Sequence, residues 1–189
     1  MKPVIIIAIA FVLLIPVSAF AEDIKTPSIS IQYPLNNAIL QRSTESSGNI
    51  PIVGTYFGNP SSIEARFNAG AWQIIDTNPS KKEFSGTLTN QKVGQGLLEI
   101  RFENASHTIF YVNNVGIGDV FVIAGQSNAA GAANKLQSLD PTNPYFSTAF
   151  LKHTWYIYDS WSVFTLVANY IIQNEEIPVG FIETAVNSS

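Results

Sequence analysis

Ser127 is the residue of this chain whose type and setting could support covalent chemistry. The apolar run 120–124 is followed at once by Gly125, Gln126, Ser127 and Asn128, a pattern that predicts a buried strand ending in a tight turn. Such a turn would hold a serine hydroxyl at the carboxyl edge of a sheet, where open α/β folds bind their ligands. Backbone N–H groups beyond the turn would face an oxyanion. The alternative is that these residues are present because they form turns well.

The segment 118–128, Gly-Asp-Val-Phe-Val-Ile-Ala-Gly-Gln-Ser-Asn, resembles the first sequence block of the SGNH-hydrolase superfamily. The form is that of sialate O-acetylesterase-like carbohydrate esterases, although Phe121 stands where Trp is usual and Ala129 where Met is common. The resemblance implies that Ser127 is the nucleophile and that its backbone N–H contributes to the oxyanion hole. Independently of the resemblance, the side-chain amides of Gln126 and Asn128 offer hydrogen-bond donors and acceptors beside this hydroxyl, which makes them candidate substrate-binding residues.

A second stretch, 178–186, is similar to the family's next block. Asn187, Ser188 and Ser189 follow where the family has Gly-Gly-Ser/Thr, so the resemblance makes the Ser188 backbone N–H a candidate oxyanion donor. The family's catalytic Asp-x-x-His block would lie further downstream. Neither His107 nor His153 has an Asp three residues before it. We therefore expect the chain to be the amino-terminal part of such an enzyme, a truncated reading frame or a decayed copy, with little activity alone because its base is missing.

The amino terminus has the three parts of a secretory signal peptide. Lys2 precedes an apolar run of about a dozen residues, and the small-residue stretch Ala19-Phe-Ala21 follows it as the cleavage region. Cleavage after Ala21 is predicted, leaving no stable membrane anchor; a retained anchor is the alternative, but Pro16 interrupts the run well short of a bilayer span. The chain contains 0 cysteines, which in an exported protein favours a bacterial periplasm or exterior.

Composition excludes several classes of partner and cofactor. The formal net charge is −4, and no basic stripe is available to neutralise nucleic-acid phosphates. His107 and His153 are the only histidines, and common zinc sites need three or four ligands from His, Cys, Asp or Glu. We expect no metal and no cofactor, and the sequence does not indicate an oligomeric state.

Residues 22–115 are predicted to form an all-β, immunoglobulin-like sandwich. Turn-forming clusters separate seven alternating segments, which are 28–33, 50–57, 63–67, 72–76, 83–88, 97–102 and 107–112. Their aromatic residues follow the strand period, so most are expected in the core, although some could instead form a sugar-binding face. Residues 113–118 are interpreted as a short rigid linker to the next domain.

Residues 116–189 are predicted to be the start of an α/β hydrolase domain. After a loop at 137–146, a strand at 154–158 leads into an amphipathic helix that runs to about Asn174, and a strand follows at 179–186. Strand–helix–strand order predicts a parallel sheet. The expected fold class is therefore an incomplete SGNH or flavodoxin-like α/β sheet preceded by the sandwich.

The resemblance favours an exported serine esterase that removes O-acetyl groups from sialic acid or polysaccharide through an acyl-enzyme on Ser127. Its partner would be an acetylated carbohydrate. One alternative is a carbohydrate-binding or cell-surface adhesion protein with a vestigial hydrolase half, and another is a structural surface domain without a ligand.

Overall fold

The computed structural model describes residues 26–127, 129, 140, 142–157 and 163–185. Signal-peptide residues 1–21, Asn128 and Ser188 lie outside them. The strands are β1 (Ser28–Tyr33), β2 (Ile39–Gln41), β3 (Ser47–Phe57), β4 (Ile63–Phe67), β5 (Gln73–Asp76), β6 (Glu83–Lys92), β7 (Gly94–Phe102), β8 (Ile109–Ile123), β9 (Thr148–Leu151), β10 (Thr154–Ile157) and β11 (Val179–Glu183). The helix α1 covers Val163–Glu175, and a 3₁₀ turn covers Glu103–Ala105.

Two sheets share the larger apolar core. The first has the order β1-β3-β6, and the second has the order β10-β9-β11-β8-β7-β4-β5 with β2 beside β8. Strand β3 shows why they pack face to face: every second residue from Gly48 to Tyr56 is buried and those between are exposed or half-buried, so Ile50, Ile52 and Tyr56 point inward. They meet Leu98 and Ile100 of β7 in one cluster. This arrangement fits the predicted sandwich, while the immunoglobulin topology stays a prediction.

The aromatic residues divide between core and surface more evenly than predicted. Buried rings are Tyr56, Phe67, Phe84 and Phe102. Tyr33, Phe57 and Tyr111 keep more than a third of their surface exposed. Strand alternation places Phe57 and Tyr111 on outer faces, and a register shift after Ile31 pairs Tyr33 with the exposed Val53.

The predicted linker at 113–118 is wrong, because these residues lie within strand β8, which runs unbroken from Ile109 to Ile123. In β8, Val112 is paired with Leu98, and Val115 with Gly96, so Asn113 and Asn114 together oppose one residue of β7. This is a β-bulge, and Asn114 has the positive φ of 54° that asparagine tolerates. The turn-like composition of these residues comes from the bulge.

The carboxyl-terminal part of β8 enters a mixed sheet. Strand β11 is parallel to both β8 and β9, as the predicted parallel sheet requires. Strand β10, however, is antiparallel to β9 in a tight hairpin, so the strand predicted at 154–158 runs opposite to β11. The predicted helix is present as α1, which packs Ala168 and Ile172 against Val179 and Phe181. The SGNH-type α/β fold stays a prediction.

Among the residues that the structure describes, no helix is both long and apolar enough to cross a bilayer.

Candidate active site

The site begins at Gly118, where three strands meet. Leu40 and Gln41 of β2 pair with Ile117 and Gly118 of β8, and the next residue of β8, Asp119, pairs with Val179 of β11. A Cβ atom at Gly118 would collide with the backbone oxygen of Pro178. Glycine is therefore required here by the close approach of two backbones.

Asp119 is held by Gln41 of strand β2, which sequence reasoning missed, and by Arg42 directly after that strand. The Arg42 guanidinium makes two hydrogen bonds to the Asp119 carboxylate: Nε–H donates to Oδ1 at 2.7 Å, and Nη2–H donates to Oδ2 at 3.0 Å. The side chains of Arg42 and Asp119 are 25% and 22% exposed. The Gln41 side chain also donates to Asp119 and accepts from the Val120 N–H. This network fixes the carboxyl-terminal part of β8, which leads to the Ser127 turn.

Ser127 lies on an exposed turn after β8, as the sequence predicts. Ile123 is buried, and the exposed residues Ala124, Gly125, Gln126 and Ser127 follow it. Gly125 has a φ of 146°, which strongly favours glycine. The Ala129 N–H donates to the Gln126 carbonyl oxygen at 2.9 Å, closing a turn that contains Ser127. Within the described residues, neither the Ser127 hydroxyl nor the Gln126 side chain makes a hydrogen bond.

The carboxyl end of β11 is fastened beside this turn. The Thr184 N–H and Oγ1 both donate to the Ile123 carbonyl oxygen, at 2.9 and 3.0 Å. Glu183 pairs with Ile123, so the residues that follow each strand leave the same edge of the sheet. Ser188 and Asn128 lie outside the described residues, and the oxyanion and substrate-binding roles given to them stay predictions.

Of the two histidines, His107 lies far from Ser127, and His153 lies at the same edge of the sheet as Ser127. His107 is exposed in a turn before β8 begins, and not on a strand as predicted, so the 15-residue length of β8 separates it from Ser127. His153 is exposed in the β9–β10 turn. Because Ile182 of β11 pairs with both Phe150 and Val122, this turn leaves the same edge as Ser127. Strands β8 and β9 are two spacings, about 10 Å, apart there.

An apolar cleft adjoins the Ser127 turn. Its volume is about 360 Å³, and its walls include Phe121, Phe164, Val167 and Phe181 together with Ala124 and Ala129, which flank the turn. Strand β2 ends at Gln41, so within the described residues the outward backbone groups of Val122 have no strand partner. The cleft therefore lies along an open strand edge beside an exposed hydroxyl.

A polar loop supports the far side of α1. The Asp140 carboxylate accepts hydrogen bonds from the Thr142 hydroxyl, from the Thr142 N–H and from the side chain of Gln173 in α1. These hydrogen bonds lower the pKa of Asp140, and the bond from the Thr142 hydroxyl has the largest effect.

In the part of the chain that the structure describes, no group of three or more His, Cys, Asp or Glu residues could hold a metal ion.

No protein-family model matches the sequence, and no curated protein matches it. The structure is similar to the crystal structure of a carbohydrate acetylesterase from Xanthomonas citri, with a TM-score of 0.48 and 18% sequence identity. The similarity covers 86% of this chain and 40% of that chain. This chain thus spans less than half the length of that acetylesterase.

Proposed function

We propose that this chain comes from an exported serine esterase of the carbohydrate O-acetylesterase type, which hydrolyses O-acetyl esters on sialic acid or polysaccharide. The observation that carries the proposal is the setting of Ser127. Its hydroxyl is exposed at the carboxyl edge of parallel strands, on a turn whose shape depends on Gly125. In the described residues it has no hydrogen-bonding partner that would give it a structural role.

The reaction needs Ser127 to act as a nucleophile. Its Oγ attacks the acetyl carbonyl carbon, the bond from that carbon to the sugar oxygen breaks, and the serine proton passes to the departing sugar hydroxyl. Water then hydrolyses the acyl-enzyme, releasing acetate and restoring the serine. Backbone N–H groups of the turn would stabilise the oxyanion, a contribution for which about 2.7–4 kcal/mol per donor is typical.

The reaction also needs a base, because an unassisted serine is a weak nucleophile. In the family that the sequence resembles, a downstream Asp-x-x-His block supplies it. Export, with signal-peptide cleavage after Ala21, is part of the same proposal because acetylated polysaccharides lie outside the cell.

The proposal is tested by acetate release in the full-length protein. Acetylated xylan, O-acetylated sialic acid and p-nitrophenyl acetate serve as substrates, and Ser127→Ala is compared with Ser85→Ala, which alters an exposed serine of β6. We expect Ser127→Ala to lower turnover to background, since loss of a serine nucleophile can cost about 10⁶-fold, and Ser85→Ala to keep full activity.

Undiminished release by Ser127→Ala would refute the nucleophile. Release from p-nitrophenyl acetate without release from either carbohydrate would refute the substrate class while leaving the esterase chemistry in place.

A further inference from the structure

The outer face of the larger sheet carries a cross-strand row of side chains far from Ser127. Arg66 of β4 pairs with Glu99 of β7, and Glu99 pairs with Tyr111 of β8. On the other side, Ala65 pairs with Gln73, which brings Trp72 level with Arg66. The row is therefore Trp72, Arg66, Glu99 and Tyr111, with an aromatic ring at each end of an ion pair.

A second row runs beside the first, with an isoleucine in place of an aromatic residue at each end of its ion pair. Glu64 of β4 pairs with Ile74 on one side and with Arg101 on the other, and Arg101 pairs with Ile109. Ile74 is 54% exposed and Tyr111 is 52% exposed, so no layer of the described structure covers either end of this face. We call these two rows the outer-face rows.

Hydrogen bonds fix the polar centre of the outer-face rows. Arg66 donates to both carboxylate oxygens of Glu99, at 2.7 and 2.9 Å, and Arg101 Nε donates to Glu64 at 2.9 Å. The guanidinium carbons of Arg66 and Arg101 lie 4.5 and 3.9 Å from the Trp72 ring centroid, within the range of cation–π contacts. The partly exposed indole is thus held in place before any ligand arrives.

The charges of the rows cancel in pairs, which decides what the face can recognise. Each guanidinium is already paired with a carboxylate, so the face offers little attraction to a phosphate or to an acidic polymer. What it offers is aromatic surface and the oriented guanidinium groups of Arg66 and Arg101, whose side chains are 26% and 20% exposed. Pyranose rings match this combination, because their C–H faces stack on aromatic rings and their hydroxyls bind planar guanidinium and carboxylate groups.

We propose that the outer-face rows bind a neutral polysaccharide, with sugar rings at Trp72 and Tyr111 and hydroxyls at the Arg66 guanidinium between them. Three strand spacings, about 14 Å, separate the backbones at the two ends of the row, a span that suits an oligosaccharide segment more than one sugar. The proposal does not depend on the esterase reaction, since it uses none of the residues near Ser127.

The test is affinity gel electrophoresis of the full chain through gels containing arabinoxylan, galactomannan or mixed-linkage β-glucan. We expect at least one of these polymers to retard the wild type and retardation to persist in salt, because no free charge carries the binding. Trp72→Ala and Tyr111→Ala should each raise the Kd about tenfold, which corresponds to ~1.4 kcal/mol, and Trp72→Phe should restore most of the loss.

Tyr156→Ala is the matched control, because Tyr156 is 51% exposed on the distant strand β10. It should bind as the wild type does, and circular dichroism should show every variant folded. The proposal is overturned if none of the three polymers retards the wild type, or if Trp72→Ala and Tyr111→Ala bind as tightly as Tyr156→Ala. Salt-sensitive binding to polygalacturonate in place of the neutral polymers would also overturn it.

Discussion

The ion pair between Arg42 and Asp119 should make a measurable contribution to stability, because it joins the end of strand β2 to the part of β8 that leads to Ser127. Two short hydrogen bonds, of 2.7 and 3.0 Å, link the two side chains. The perturbation is a double-mutant cycle made of Arg42→Ala, Asp119→Ala and the double variant.

The magnitude follows from the exposure of the pair. Exposed ion pairs contribute about 0.2–1 kcal/mol, and breaking a fully buried one costs about 3–5 kcal/mol. With side chains 25% and 22% exposed, this pair lies between the two cases, and we expect each replacement to cost about 2 kcal/mol and the coupling to be about 1–1.5 kcal/mol. The single losses exceed the coupling because Arg42 also donates to the Glu45 carbonyl oxygen and Asp119 accepts from Gln41.

Urea unfolding followed by circular dichroism measures the four free energies. Lys92→Ala is the control, because Lys92 is exposed and has no ion pair among the described residues; its effect should stay within about 0.5 kcal/mol. A coupling below about 0.3 kcal/mol would refute the reasoning, since distant independent sites already add to within that error.

Two further outcomes are expected. Gly118→Ala should destabilise the protein by about 1–3 kcal/mol, because its Cβ meets the Pro178 oxygen; an unchanged urea midpoint would contradict this close approach. A fragment of residues 26–115 should unfold at lower urea than one of residues 26–124, because it lacks the β8 partners of β2 and the fully buried Ile117. Equal midpoints would show that the sandwich folds without the continuation of β8.

Local patterns in the sequence predict a large part of this fold. Strands β1 and β4 have the predicted bounds, because alternation of apolar and polar residues and flanking turn residues both act within a few positions. The helix α1 extends from Val163 to Glu175, close to its predicted end, for the same reason. The exposed turn at Ser127 was also predictable from the apolar run and Gly125.

Features that depend on distant residues were not predictable. Strand β2 has three residues, too few to show a period, and it forms because β8 offers a parallel edge 77 residues later in the chain. The bulge at Asn113 and Asn114 has the composition of a linker, and only its pairing with β7 distinguishes the two. The direction of β10 is set by its hairpin with β9. The periodicity of the helix that follows β10 carries no information about that direction.

The segment 118–128 separates into a part explained by folding and a part that folding leaves unexplained. Gly118 avoids a backbone collision, Asp119 completes an ion pair, and Ile123 is buried, so each of these residues would be favoured in a protein without any activity. Gln126 and Ser127 are exposed, and in the described residues their side chains make no hydrogen bond. No contact of the described residues therefore requires a hydroxyl at position 127, whereas the nucleophilic role that we propose would require one.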